Sequence, residues 1–511
     1  MGIFSYNYAR PNFLDDFFKN SRSGFFLYFL IGFLFIFVPI YYYVSDISID
    51  PNYRRADATG FNHGWGKEFI YFYYYKGLFP LASADTNKVF SVQGAEASAS
   101  KRPLDLRMEW GHWSRFGESA RIWLYMPYCW LKGSAKNPQI TFTVFLLHLL
   151  VIQLSHWIFY LINKPFSGVI FNLIFCCTPF MVYEVYCNNN VFGLMSIFSV
   201  FLFLAHLPVI VKKVSIKYVL LIGSVCGFFF AIMHNIRAES LPMMASCIFI
   251  YLTCHQWPWY RRFLPVLFLL SLFFLTDSVV QNYFLVKKNH TTEYVKKVGG
   301  VPFEGGATIV HPFWHPIFCG LGDYDKKYHH YLHDTFVYNY ALPILRKLHN
   351  EEYKYPGKTP YEMNEFYDST HFYYKKAETL PGFDSIVKQK FLSDVSIDPA
   401  WYGGLILRRT RDFFFNLSPL GISLNNLVIP VPFHGIIFFF LIFLIFINRD
   451  FRLLKILLFL TPLASSVILI YSAYNSSYQS IFHYITLALL LDFLASKIFI
   501  AKAENIESKA D

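Results

Sequence analysis

The sequence predicts an all-α polytopic membrane protein of about ten transmembrane helices, with amphipathic helices and a small domain on the extracytoplasmic face. Three observations predict it. Of the 511 residues, 55% are hydrophobic and only 15% charged, and mean hydropathy is +0.34. Apolar stretches of roughly 17 to 25 residues, long enough to cross the hydrocarbon layer, recur along the chain. Lys and Arg gather on one side of the threading those stretches imply.

Taken in order, the apolar stretches fall at 24–44, 139–162, 167–186, 191–211, 218–233, 240–251, 263–286, 431–447, 454–472 and 481–499, the sixth being short. With both termini inside, Lys164, Lys212, Lys213, Arg261, Arg262, Arg449, Arg452 and Lys502 lie in the cytoplasm, as the positive-inside rule requires. The first stretch follows a polar segment with Asp15 and Asp16 and leads to no small-residue cleavage site, so it reads as a span and not a signal peptide. The net charge of +11 marks the cytoplasmic side in such a protein, and nucleic acid is not an expected partner.

This threading divides the chain into an N-terminal transmembrane module, 1–286, with a large first outer loop at 45–138. An extracytoplasmic domain follows at 287–430, then C-terminal helices and a cytoplasmic tail at 431–511. In the first loop, GKEFIYFYYYKGLFP and SARIWLYMPYCWLKG mix aromatic and basic residues in the manner of helices lying in the headgroup layer. The second large segment carries the helix-like runs DTFVYNYALPILRKLHNE, SIVKQKFLSDV and WYGGLILRRTRDFFFN, too much pattern for a plain loop. The eight cysteines show no CxxC pair and no zinc spacing, so neither a disulfide framework nor a structural zinc is expected.

Polar clusters collect on the expected outer face, where charges at the lipid border need partners or a wet chamber. In SDISIDPNYRRADATGFNHGW, Asp46 and Asp50 read as turn residues, while Asp57 is flanked by Arg54, Arg55, His63 and Trp65 and is a candidate general base. Glu184, in VYEVYCNNN, either points into the chamber or snorkels to the interface. HNIRAES offers Arg237 beside Glu239, a phosphate clamp or a local pair sealing a helix end.

The densest motif, GATIVHPFWHPIFCGLGDYDKKYHHYLHD, contains His311, His315, Asp323, Asp325 and Asp334. Its HxxxH spacing matches a metal pair, but Pro312 and Pro316 oppose a regular helix through both histidines. A loop contacting sugar, phosphate or water and a rigid structural loop are the remaining readings. YSAYNSSYQSIFHY adds Tyr474, Asn475, Tyr478 and His483, either ligand contacts or interfacial anchors. Asp277 is an acid inside the seventh stretch and calls for a partner from another helix.

The pattern of RRADATGF in the first outer loop, NIRAES at a helix edge, a large outer segment before the last spans and the late helix entry SIFHYITLALLLDFL resembles the GT-C superfamily of integral membrane glycosyltransferases. The resemblance implies transfer of a sugar from a polyprenyl-phosphate donor to an extracytoplasmic lipid, glycan or protein acceptor, usually with inversion. Asp57 would be the base and Arg237 the phosphate ligand. His311 or His315 would assist the phosphate or position the acceptor, with Glu184, Glu239, His63 and Tyr478 completing the chamber. The first loop has no DD, DE or DxD, which leaves open a divalent cation and the identity of the base. No Walker loop, GxGxxG, GxSxG or HExxH appears, so no soluble cofactor is implied. A transporter or flippase is the alternative, although no repeated halves are visible. The membrane is a bacterial cell membrane or an endoplasmic reticulum, and the basic-residue pattern with the lack of a retention signal favours the first.

Overall fold

The computed structural model describes residues 13–44, 65–78, 82–83, 106–107, 118–135, 138–177, 190–211, 214–236, 240–253, 257–297, 313–332, 334–348, 365–367, 372–374, 382–415, 421–424, 427–430, 438–440, 442–443, 447, 451–470, 481–482 and 484–491. Helices dominate them.

The chain opens with α1 (Phe13–Asn20), whose Asp15 and Asp16 in the first turn and Lys19 in the last complement the helix dipole. Ser21 caps α2 (Arg22–Leu34) by accepting the Gly24 N–H at 2.9 Å, and α3 (Phe37–Val44) continues the same apolar run. The first large loop contributes α4 (Trp65–Lys76), a short antiparallel pair of β1 (Ala82–Ser83) with β2 (Leu106–Arg107), a 3-10 segment (Glu118–Tyr125) and α5 (Met126–Lys132). Gly133, at φ 62°, ends α5 in the left-handed conformation that glycine adopts without a Cβ clash.

A helical bundle follows: α6 (Ile140–Leu161), α7 (Pro165–Cys177), α8 (Asn190–Val211), α9 (Ile216–Ile236), α10 (Leu241–Leu252) and α11 (Trp259–Lys297). Five helices among the described residues are long and apolar enough to cross a membrane: Arg22–Tyr41, Ile140–Leu161, Leu194–Val211, Ile216–Ile236 and Trp259–Lys297. Pro165–Cys176, Leu241–Leu252 and Lys455–Leu469 are shorter apolar helices. The expected span at 431–447 falls largely outside the described residues, and that at 481–499 is described as helix at 481–482 and 484–491. The chain is a membrane-embedded helical protein. Within α8 83% of the apolar stretch is buried, against 22% in α11, so α8 runs through the bundle while α11 turns Leu267, Phe274, Leu275 and Val279 outward.

The tightest helix pair is α9 with α11. Gly223 and Gly227 form a GxxxG step in GSVCG, and a Cβ on Gly227 would lie 2.3 Å from the Leu269 carbonyl oxygen. On Gly223 it would lie 3.0 Å from the Pro265 oxygen. Contacts of Gly223 with Pro265, Gly227 with Leu269 and Asn235 with Asp277 climb both helices in one direction, so the two run parallel. At about 1.5 Å per residue α11 exceeds the roughly 30 Å hydrocarbon layer, and its polar end from Lys287 to Lys297 projects beyond it. The helix therefore continues past the boundary expected at 286.

A second core lies in α12 (Trp314–Gly320), a 3-10 turn (Leu321–Asp323), α13 (Asp334–Leu348), α14 (Phe383–Ile397) and α15 (Pro399–Phe415), packed on Phe318, Leu321, Val337, Phe383 and Val387. Two further antiparallel pairs are β3 (Glu365–Tyr367) with β4 (Phe372–Tyr374), and β5 (Gly421–Leu424) with β6 (Leu427–Pro430). Arg409 joins this unit to the C-terminal end of α16 (Phe451–Leu469). Its guanidinium donates to the carbonyls of Ile468 at 3.3 Å and Leu469 at 3.2 Å and also to Gly320, with Asp323 3.4 Å away. Those carbonyls end a helix and have no partner further along it, so a buried cation satisfies them and the helix dipole together.

Replacing Gly227 with Leu forces α9 off α11 and is expected to cost about 1–3 kcal/mol or more, as overpacking does. Gly403→Ala, on an open face of α15 where a Cβ meets nothing within 4 Å, is expected to stabilise by about 1 kcal/mol. Thermal unfolding of both variants in detergent checks the pair: a Gly227→Leu protein as stable as wild type would remove the close approach.

Candidate functional site

At the end of α9 a polar rung crosses to α11. Asn235, fully buried, donates to its own helix at the Ala231 carbonyl (2.8 Å) and to Asp277 Oδ1 (2.7 Å), and its oxygen accepts from Gln281 Nε2 at 2.6 Å. Asp277 thus has the interhelical partner its position demands, because a carboxyl in an apolar layer is costly without one. His234 sits beside the rung, its ring 5.7 Å from Phe273.

An aromatic wall stands next to the rung. The Tyr73 and Tyr283 hydroxyls are 2.7 Å apart, Trp123 Nε1 donates to the Tyr73 hydroxyl at 3.1 Å, and the Trp123 ring packs 5.2 Å from Phe284. Lys287 Nζ donates to the Gly77 carbonyl at 3.1 Å and lies 5.9 Å and 5.7 Å from the Tyr73 and Tyr283 ring centroids, a two-ring cation–π contact. Gly77, at φ 64°, gives the turn that brings this carbonyl round. Burial, and then the Tyr283 hydroxyl, push the Tyr73 phenol above its ordinary value, so it serves as a neutral hydrogen-bonding group. Tyr283 lies about 9 Å along α11 from Asp277. Both amphipathic segments expected in the first loop are helical and meet α11 here.

The second unit holds the HPFWHP motif. His315 is 3% exposed and lies between the rings of Tyr338 (5.4 Å) and Phe383 (5.8 Å, stacked), inside the core of that unit. Its helix starts at Trp314, whose N–H is accepted by Asp384 Oδ1 at 3.0 Å, and Pro316 falls in the first turn, where a missing N–H costs nothing. Downstream, Asp325 accepts backbone N–H bonds from Lys327 (2.8 Å), Tyr328 (3.1 Å) and His330 (2.8 Å), and side-chain bonds from His330 Nδ1 (2.8 Å) and Trp401 Nε1 (3.1 Å). The other nitrogen of His330 reaches Asp394 at 3.3 Å, so one imidazole bridges two carboxylates. Burial alone would raise the Asp325 carboxyl, but the three backbone donors and His330 together hold it well below the ordinary range. Asp398 is also held low, first by Lys327 and then by the Trp401 N–H. The densest polar motif in the sequence is thus largely consumed in fixing a loop against α14 and α15.

Of the residues singled out in the sequence, Asp57, His63, Glu184, Arg237, Glu239, His311 and Tyr478 lie outside the described residues. The structure describes their neighbours instead. Helix α4 begins two positions after His63 and packs through Tyr73 on α11, and α9 ends at Ile236, directly before Arg237. Asn235, Gln281, Tyr73, Tyr283 and Lys287 were not singled out, although the GxxxG step in GSVCG marks the face of α9 that meets a neighbouring helix. Comparison of the chain with protein-family profiles, curated proteins and solved structures gives no match.

The two lowered carboxyls fix a pH dependence for the second unit. A group whose folded value lies below its ordinary one, 3.8 for Asp, adds stability above that value and loses it as pH falls through the folded value. Hydrogen-exchange protection across 314–348 and 383–415, taken against the intrinsic rate at each pH, is therefore expected to be steady near neutrality and to fall below about pH 4. Asp325→Asn is expected to flatten this acid limb; an unchanged limb would exclude Asp325 as its source.

Proposed function

We propose that the chain is a GT-C-type membrane glycosyltransferase, moving a sugar from a polyprenyl-phosphate donor to an extracytoplasmic lipid, glycan or protein acceptor. One observation carries the reading: the first-loop helix α4, the end of α9 and the projecting end of α11 meet at a single rung and wall. In sequence RRADATGF ends four positions before α4, and NIRAES starts in the last turn of α9. A transferase of lipid-linked sugars needs a base, a phosphate ligand and an aromatic border with lipid at one membrane interface, and these segments supply all three residue types.

In this mechanism Asp57 takes the proton from the acceptor hydroxyl as its oxygen attacks the anomeric carbon. The bond from that carbon to the phosphate oxygen breaks on the opposite side, and inversion results. Arg237 neutralises the leaving lipid phosphate. His63, Glu184, His311 and Tyr478 line the acceptor side. His311 would assist the phosphate or position the acceptor, while His315 is buried between Tyr338 and Phe383 in the core of its unit. The first loop has no DD, DE or DxD to hold a divalent cation, so the reading of Asp57 as base does not depend on one. The positive-inside pattern supports cytoplasmic termini in a bacterial cell membrane, and transfer on its outer face would serve cell-envelope glycan biosynthesis.

The test is transfer of labelled sugar from extracted polyprenyl-phosphate sugars to endogenous acceptors, in membranes containing wild type, Asp57→Asn or Arg237→Ala at equal expression. Asp57→Asn is expected to lower transfer by about 10²-fold or more, the usual contribution of a positioned base. Arg237→Ala is expected to lose transfer and to weaken competition by unlabelled polyprenyl phosphate. Transfer unchanged in both would overturn the reading and leave lipid-linked solute transport as the function to test.

A further inference from the structure

Three soft or borderline ligands converge in the middle of the bundle, far along the chain from one another. His206 on α8, Cys226 on α9 and Cys247 on α10 are all buried, and their ligand atoms lie within 4.8 Å of one another. Cys247 Sγ is 3.9 Å from His206 Nδ1, and both cysteines are free thiols. Bond lengths of about 2.3 Å to sulfur and 2.0–2.1 Å to nitrogen put the ligand atoms of a metal site about 3.5–4 Å apart, so the cluster needs only a small contraction.

We propose that His206, Cys226 and Cys247 bind a thiophilic cation. Two thiolates and a neutral imidazole carry two negative charges, which a divalent cation cancels in a layer where net charge is expensive. Zinc therefore fits better than cuprous copper, which leaves one charge over. Binding replaces both thiol protons, which are released.

The imidazole is equipped for the exchange. Without metal its Nδ1 donates to the Leu202 carbonyl at 2.8 Å, because a carbonyl only accepts, and its Nε2 accepts from the Tyr251 hydroxyl at 2.8 Å. A cation on Nδ1 moves the ring proton to Nε2, where the Tyr251 oxygen accepts it. That is the partner a metal-bound imidazole requires on its far side. Tyr251 packs beside Gly223 of α9, its hydroxyl 3.6 Å from where a Cβ would stand. Cys226 is next to Gly227, so the contact that locks α9 to α11 also fixes one ligand.

The experiment is elemental analysis of the full-length protein, purified in detergent without chelator from cells grown with zinc and copper. About one zinc, or about one copper, per chain is expected in wild type, falling at least about fivefold in Cys226→Ser and Cys247→Ser and unchanged in Cys129→Ser. Titration of metal-free wild type with cobalt is expected to give thiolate-to-metal charge-transfer absorption, which decides the matter even if a cysteine variant fails to fold. Wild type with neither metal and no such absorption overturns the proposal, as does metal that survives in folded Cys226→Ser and Cys247→Ser proteins.

Discussion

The backbone contact between α9 and α11 is the constraint on which much of the remaining architecture rests. Gly227 lets the Leu269 carbonyl approach to a distance no side chain tolerates, and Gly223 makes a close though looser approach to Pro265 one turn earlier. In an apolar layer, where burial against a neighbour brings no gain over burial in lipid, close packing and interhelical hydrogen bonds hold helices together. Once those two glycines set the register, Asn235 lands on Asp277 and Gln281 completes the rung. A parallel pair needs a return helix, and α10 supplies it, bringing Cys247 and Tyr251 to His206.

Beyond the rung, different forces take over. The projecting end of α11 is held by Lys287 and two tyrosines, a cation against ring faces and a glycine carbonyl, the mixture expected where lipid gives way to water. The second unit has its own apolar core and its own polar lock, with Asp325 and Asp394 on either side of His330. Arg409 joins that unit to the end of α16, where one guanidinium meets carbonyls of two helices. Removing it would leave those carbonyls buried and unmatched.

Much of this was legible in the chain. The apolar runs at 139–162, 191–211 and 218–233 appear as helices with nearly those limits, and the short run at 240–251 appears as the short helix Leu241–Leu252. The aromatic segments around Tyr73 and Trp123 are helical because their residues suit a half-wet surface. What could not be read were partners chosen by register. Asp277 demanded one, but Asn235 is fixed by glycines two and three turns earlier on its own helix. His206, Cys226 and Cys247 show no motif because each comes from a different helix. His315 was expected at the phosphate or the acceptor, whereas the turn at Trp314 sends it into a core of rings. His330 passed unnoticed beside it, since its two carboxylates arrive from a loop and from α14. Most of the candidate catalytic residues lie outside the described residues, so their roles rest on the chemistry of their segments.

The central claim is that lipid-linked phosphate is handled where α4, α9 and α11 meet. Photocrosslinking tests it most directly, with a benzophenone side chain placed at Tyr74 on α4, at the wall, or at Phe228 on the exposed face of α9, and a labelled polyprenyl-phosphate sugar as probe. Labelling at 74 that is saturable and displaced by unlabelled probe, with only unsaturable background at 228, is the result the account predicts. Equal, undisplaced labelling at both positions would contradict it.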